Sequence, residues 1–261
     1  MGDDSFPMLR EEITACRRCP RLVRCRERLA TEKNREFRSE TYWGKGVPGF
    51  GDPSARLVVI GLAPSAQGSN RTGRMFTGDR SAAFLVRALY ATGFASQPTS
   101  LRRGDGLAYH DLYLTAAVRC VPPDNRPLPD EKENCRPYLE REFRLLRSTR
   151  AYLALGGFAW DATLDSASRA HGVDRPRSPF AHGACAVLGP GKPLVFASYH
   201  PSPQNTNTGR LTGVMFEELL GRIRAAFDPG GSPGKAGGAR GGGASPPIRR
   251  GSPPGAVRRS I

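Results

Sequence analysis

The sequence contains no run of eighteen consecutive apolar residues, and so no candidate for a membrane-spanning helix. Its first residues, MGDDSFPMLREEIT, are acidic and lack the apolar centre of a secretory signal, which points to the cytoplasm. Residues 229–261 hold no aromatic and no acidic side chain. A segment of that composition cannot bury enough apolar surface to offset its ordering entropy. It reads as a disordered basic tail, either a loose hold on a polyanion or a solubilising extension. Internal repeats are absent. A long Gly-rich loop is present, but it lacks the Gly-Lys-Ser/Thr ending of a phosphate-binding loop. Paired metal-binding carboxylates are missing as well, and both absences count against a nucleotide-dependent transferase.

Basic charge is abundant. The 261 residues carry a formal +15, of which Lys235, Arg240, Arg249, Arg250, Arg258 and Arg259 in the tail supply +6, leaving +9 on the rest. A basic globular part suits a nucleic acid, because each neutralised phosphate releases a condensed counterion. The length allows one domain with a sizeable core, over residues 1–228, followed by the tail.

Residues 1–228 alternate between strand-like and helix-like patterns. Apolar runs at 56–61, 111–118, 151–155 and 194–198 read as strands. Helices are expected over 81–92, 130–148, 157–169 and 212–227. The first carries Phe84, Leu85, Ala88 and Leu89 on one face, the last Met215, Leu219, Ile223 and Phe227. Asp130 with Glu133 makes a capping-box signature, and Pro137 should kink that helix or mark its true start. Strands alternating with helices imply a parallel sheet covered on both faces. Ligands of such folds sit beyond the carboxyl ends of the strands. Three unusual stretches occupy those positions: the loop after Gly61, the segment after Val118 and the loop after Ser198.

The loop after Gly61 is rich in glycine, hydroxyls and amides. Ser65 and Asn70 suit phosphate oxygens, and Arg71 and Arg74 add charge. Phe76 is positioned either to stack on an extruded base or to anchor the loop in the core. Asp79 suits the positioning of a water and equally the N-cap of the next helix. In the loop after Ser198, His200 could hydrogen-bond a leaving group that becomes anionic. Ser202 is placed to bind phosphate, Asn205 and Asn207 to probe a groove, and Arg210 to pair with phosphate or a carboxylate.

Six cysteines are present. Cys16 and Cys19 form C-x-x-C, and Cys120 and Cys135 follow the second strand. Four thiolates suit Zn²⁺ or an iron–sulfur cluster, and the spacing does not separate the two. Cys16, Cys19, Cys120 and Cys135 are the expected ligands, with Cys25 a rival for Cys19. Cys185 reads as a buried or free thiol.

Together GLAPSAQGSNRTGRMFTGD (61–79), VRCVPPDNRP (118–127) with Cys135 beyond it, the early C-x-x-C and HPSPQNTNTGRLT (200–212) resemble the uracil-DNA glycosylase superfamily, most closely its family 5 or type B enzymes. The resemblance spans about residues 10–227. It implies an α/β/α sandwich, here with a mostly parallel four-stranded sheet, and a [4Fe–4S] cluster on four cysteines. It also implies hydrolysis by water without a covalent lysine intermediate. The partner it implies is double-stranded DNA carrying uracil, hypoxanthine or xanthine, bound by a monomer in the cytoplasm at the nucleoid. By matching position, Gly61, Ala63, Phe76 and His200 form the base pocket. Asp79 and Asn125 are the polar catalytic residues with His200, and Asp79 is the first choice for handling water. Leu62 and Ala63 stand where many superfamily members carry an Asn, Asp or Glu, and the second strand ends without an Asn. Both losses suit a roomier pocket. The competing expectation is a non-catalytic nucleic-acid-binding protein with a structural iron–sulfur or zinc site.

Overall fold

A computed structural model of the chain describes residues 4–227. The expectation of a tail at 229–261 lies outside them. Among the described residues, eight helices and six strands run in the order α1 (Phe6–Ala15), α2 (Pro20–Glu32), β1 (Phe50–Gly51), β2 (Leu57–Gly61), α3 (Ser69–Thr72), α4 (Arg80–Ala91), β3 (Leu112–Ala116), α5 (Pro129–Leu145), β4 (Ala151–Leu155), α6 (Gly157–His171), β5 (Cys185–Val187), β6 (Leu194–Ser198), α7 (Pro203–Asn207) and α8 (Gly213–Ala225). No helix among these residues is long and apolar enough to cross a membrane.

All six strands form one sheet in the order β1-β3-β2-β4-β6-β5. The four expected strands make its parallel centre, and β1 and β5 close its edges antiparallel. The expected count of four strands is therefore corrected to six. The edge strands span only two and three residues, too short for an alternating pattern to register in the sequence.

The period of two in β2 divides the core. Leu57 and Val59 face Leu85, Leu89, Phe216 and Leu220 of α4 and α8. Val58 and Ile60 face Leu139, Phe143, Trp160 and Leu164 of α5 and α6. Helices on both faces give the three-layer sandwich. Chain order reverses around β2: β3 lies on one side and β4 on the other. Ligands of open α/β sheets bind at the carboxyl ends beside such a switch point.

Two local expectations shift. The fifth helix starts one residue earlier than Asp130, with Leu128 as N-cap and Pro129 at the first helical position, where its fixed φ is pre-organised. Glu131, not Glu133, reaches back to accept from the Leu128 N–H at 2.7 Å. Pro137 neither starts nor ends the helix; it sits exposed within it. The N-terminal helices α1 and α2 had no counterpart in the sequence reading. Helix α1 buries Leu9 and Ile13 against Tyr138 of α5.

Candidate active site

Strand β2 ends at Gly61, and the ring of Phe76 lies on it: a Cβ at Gly61 would stand 2.7 Å from Phe76 Cζ. Phe76 has φ 47°, in the left-handed region that non-glycine residues seldom occupy. Its N–H donates to Ser69 Oγ at 3.1 Å. Strain of this kind costs about 1–3 kcal/mol and persists where the surroundings enforce it, commonly at functional sites. The ring is half-buried: it packs against the core and keeps part of its surface open.

Asp79 closes the same loop. Oδ1 accepts from the Ala82 N–H at 2.8 Å and so caps α4. Oδ2 accepts a short bond from the Ser65 hydroxyl. At Gly68 a Cβ would stand 2.1 Å from Asp79 Oδ2 and 2.4 Å from Ser65 Oγ, so only glycine lets the chain pass. Two bonds fix the carboxylate, and an ionised carboxylate retains acceptor sites beyond them.

Across β4, strand β6 delivers His200. Its Cβ lies 3.5 Å from where a Cβ on Gly156, just past β4, would be. Its carbonyl accepts from Asn205 Nδ2 at 2.8 Å, which ties the residue to the short helix α7. Burial pulls the His200 pKa below the usual imidazole value, and the carboxylate of Asp79 pulls it partly back. At neutral pH the ring is a neutral hydrogen-bonding group within electrostatic reach of Asp79.

The cysteines gather beside this site. Cys19, Cys120 and Cys135 share one buried cluster with Leu22 and Val118, and Ala63 of the loop and Phe158 of α6 pack against it. Cys16 packs beside Tyr138 of α5 and shares a hydrogen bond with its hydroxyl. Cys25 is buried outside that cluster, and Cys185 is exposed on β5. Cys19, and not its rival Cys25, thus lies with Cys120 and Cys135, and the buried form expected of Cys185 is corrected. Burial pushes the Cys120 thiol up to about 11 and Cys135 up to about 12. Asn134 Nδ2 donates to Cys19 Sγ at 3.5 Å and Arg26 Nη1 to Cys120 Sγ at 3.0 Å. Four thiols brought from two distant parts of the chain, two of them accepting hydrogen bonds, are the donor chemistry that sulfur-ligated metal centres use. No group of three or more His, Cys, Asp or Glu among the described residues could close on a single metal ion.

The family model described as uracil DNA glycosylase superfamily matches residues 48–224. The chain belongs to this superfamily. A type-5 uracil-DNA glycosylase of Thermus thermophilus is 53% identical over 211 residues, 80% of this chain and 93% of that protein. One from Mycobacterium leprae is 48% identical over 221 residues, covering 84% and 94%. One from Pyrobaculum aerophilum is 46% identical over 218 residues, covering 84% and 91%. The likeness to family 5 drawn from four motifs thus extends across most of the chain.

Within this superfamily member, the structure pairs Gly61 with Phe76, Ser65 with Asp79 and the His200 carbonyl with Asn205, places Asp79 within electrostatic reach of His200, and sets Ala63 on the side toward the cysteines. Asn125 is not joined to them. It is exposed, has φ 55° in the turn Pro123–Asn125, and no hydrogen bond links it to Asp79 or His200. Two expected DNA contacts are corrected. Asn70 is completely buried and donates to the Arg26 carbonyl at 3.3 Å. Arg71 is 5% exposed; it pairs with Glu40, donates to the carbonyls of Gln67 and Gly78 and lies over the Phe37 ring. Arg74 is likewise consumed by Asp105, Thr77 and Ser100. These arginines knit the loop; they do not face solvent. Arg210 remains exposed, stacked over Tyr199 at 4.4 Å, and Ser202 is the N-cap position of α7.

Sequence reasoning missed Arg26, Arg119 and Glu142. Arg119 and Glu142 are each 1% exposed and form an ion pair of 2.7 Å that also binds Thr115. It ties the end of β3 to α5, immediately beside Cys120 and on the α5 face of Cys135. The available signal was the spacing: Cys135, Tyr138 and Glu142 fall at i, i+3 and i+7.

Proposed function

We propose that this chain is a monofunctional DNA glycosylase that hydrolyses the N-glycosidic bond of uracil in double-stranded DNA and leaves an abasic site. Hypoxanthine and xanthine are further substrates of the same pocket. The observation that carries this reading is the placement of Asp79 within electrostatic reach of His200 beyond β6, with the Phe76 ring lying on Gly61 at the end of β2. The target nucleotide is extruded from the stack, at a cost of about a few kcal/mol that a mismatch reduces. Phe76 stacks on the base. Neutral His200 donates a hydrogen bond to the departing base as negative charge develops on it, the kind of electrostatic support that is usually the largest catalytic contribution. The fixed carboxylate of Asp79 stabilises positive charge on the sugar and orients water through its free lone pairs. Asn125 joins only if the Pro123–Asn125 turn closes on bound DNA.

We read the bond-breaking step as direct attack by water. Neither site loop, 61–80 or 198–213, contains a lysine, so neither supplies an amine for a covalent imine. A [4Fe–4S] cluster held by Cys16, Cys19, Cys120 and Cys135 would cross-link the N-terminal helices to the core. Four thiols are the donor set such a cluster takes, and the N-terminal pair and the two later cysteines supply it from distant parts of the chain. The protein works as a monomer in the cytoplasm at the nucleoid. Exposed Arg210 and the backbone around Ser202 hold phosphate.

The test is cleavage of labelled duplexes, each with one uracil, hypoxanthine or xanthine, with and without alkali. Strand breaks that appear only after alkali support a monofunctional glycosylase and rank its bases. Intact strands with every base, from protein retaining its iron, would overturn the catalytic reading in favour of a binding module.

A further inference from the structure

Four arginines of the described chain are buried. Arg71 faces Glu40, Arg74 faces Asp105 and Arg119 faces Glu142. Arg26, only 2% exposed, has no carboxylate partner. Its Nη1 donates to Cys120 Sγ at 3.0 Å, its Nη2 to the Cys16 carbonyl at 2.9 Å, and its Nε has no hydrogen-bond partner. A guanidinium stays charged at every relevant pH, and burying one without an anion is strongly unfavourable. Neutral thiols do not meet that need. Four thiolates around an iron–sulfur core do, because together they outweigh the charge of the core and leave the whole centre negative.

We propose that Arg26 is the internal counter-cation of the four-cysteine centre, holding Cys120 through its sulfur and Cys16 through its carbonyl. The inference rests on the cluster assignment above and concerns a positioning residue, not a catalytic one. Its fork bridges the first and third ligands, so one side chain from α2 sets the seat of the N-terminal segment against the end of β3. It also sets the electrical surroundings. A fixed positive charge beside a ligand sulfur favours the more negative, reduced form of the centre, and hydrogen bonds to sulfur act in the same direction.

The experiment compares the as-purified wild-type protein with Arg26→Gln and Arg26→Lys. Iron and acid-labile sulfide content, the potential for one-electron reduction by dithionite followed by electron paramagnetic resonance, and the rate of iron release to a chelator are measured. Arg26→Gln should lower the equilibrium constant for reduction at least tenfold, a shift of about 59 mV to more negative potential, and speed iron release severalfold. Arg26→Lys, which keeps the charge, should recover most of the potential but not the slow release, because ammonium lacks the fork. A wild-type potential in Arg26→Gln would overturn the proposal. If Arg26→Gln cannot hold the centre, Arg26→Lys decides: a retained centre at near wild-type potential supports the counter-cation, and loss in both variants reduces Arg26 to a packing role and overturns it. Wild-type protein without iron and sulfide would instead sink the cluster assignment itself.

Discussion

Phe76 closes over Gly61 at a point where only a hydrogen fits between ring and backbone. The floor of the proposed base pocket is thus made jointly by a strand end and a loop residue fifteen positions later. Gly61→Ala should displace the ring and lower single-turnover cleavage about tenfold or more, since base stacking on an aromatic contributes about 1–3 kcal/mol. Phe76→Ala should give a loss of similar size while leaving duplex affinity nearly intact. Equal affinity and equal cleavage in both variants would remove Phe76 from base binding.

Asp79 has two tasks that one substitution can separate. Asp79→Asn keeps an oxygen to accept from the Ala82 N–H, so the cap on α4 survives, and asparagine is as good an N-cap as aspartate. The charge opposite the developing cation is lost. Melting temperature should change little while cleavage falls about 10²-fold, in the range of removing one preorganised electrostatic contact. Asp79→Ala should add a stability loss of about 1 kcal/mol from the missing cap. If Asp79→Asn cleaves at the wild-type rate, Asp79 is a cap alone.

His200 supplies a pH signature. Its pKa in the folded chain is lowered, first by burial and against the pull of Asp79. The folded state therefore resists protonation, and the neutral ring persists below the ordinary value of about 6.5. Its contribution to stability is complete above that value and is lost as pH falls through the lowered one. Cleavage in single turnover should follow the protonation of the folded-state ring: flat through about pH 6.5 and falling only at lower pH, through the lowered pKa. In His200→Ala this limb should vanish and the plateau should drop about 10²-fold. Retention of the same acid limb in the variant would assign it to another group.

Arg71 and Arg210 look alike in the sequence, each a cation in a polar loop, yet the structure separates them. Arg71→Ala should destabilise the fold by about 2 kcal/mol, through lost bonds to buried carbonyls, with no change in the salt dependence of DNA binding. Arg210→Ala should leave stability nearly unchanged and reduce the salt slope by about one unit, as expected for a single phosphate contact. Thermal melts and binding titrations between low and moderate salt distinguish the two.

The contrast between those arginines also marks what the sequence reveals. Periodicity exposed the four central strands and the four main helices, because burial on two faces leaves continuous apolar runs and one-sided stripes. Strand ends then drew attention to the loops that carry Gly61, Asp79 and His200. Short edge strands, with two or three residues each, leave no period to read. The interior arginines fail for another reason: a guanidinium reads as solvated unless its partner is known, and Glu40 lies 31 positions from Arg71. Composition cannot report a pairing that only tertiary structure creates. The same holds for Arg26, whose partner is a sulfur.

The ion pair of Arg119 with Glu142 offers a last, sharper test. Both side chains are 1% exposed, and Thr115 and Tyr113 also donate to the carboxylate. Glu142→Gln keeps the shape but leaves a buried cation uncompensated, which should cost about 3–5 kcal/mol. Arg119 adjoins Cys120, and Glu142 stands two turns beyond Cys135 on one face of α5, so the variant should also release iron faster than wild type. Replacing both partners with methionine removes the buried charge altogether and should recover much of the stability, because a well-packed apolar pair avoids the desolvation penalty. Thermal melts of the as-purified single and double variants measure the difference. If the double variant is as unstable as Glu142→Gln, the pair acts through directed hydrogen bonds to Thr115 and Tyr113 and not through charge balance, and the seat of Cys120 depends on that network.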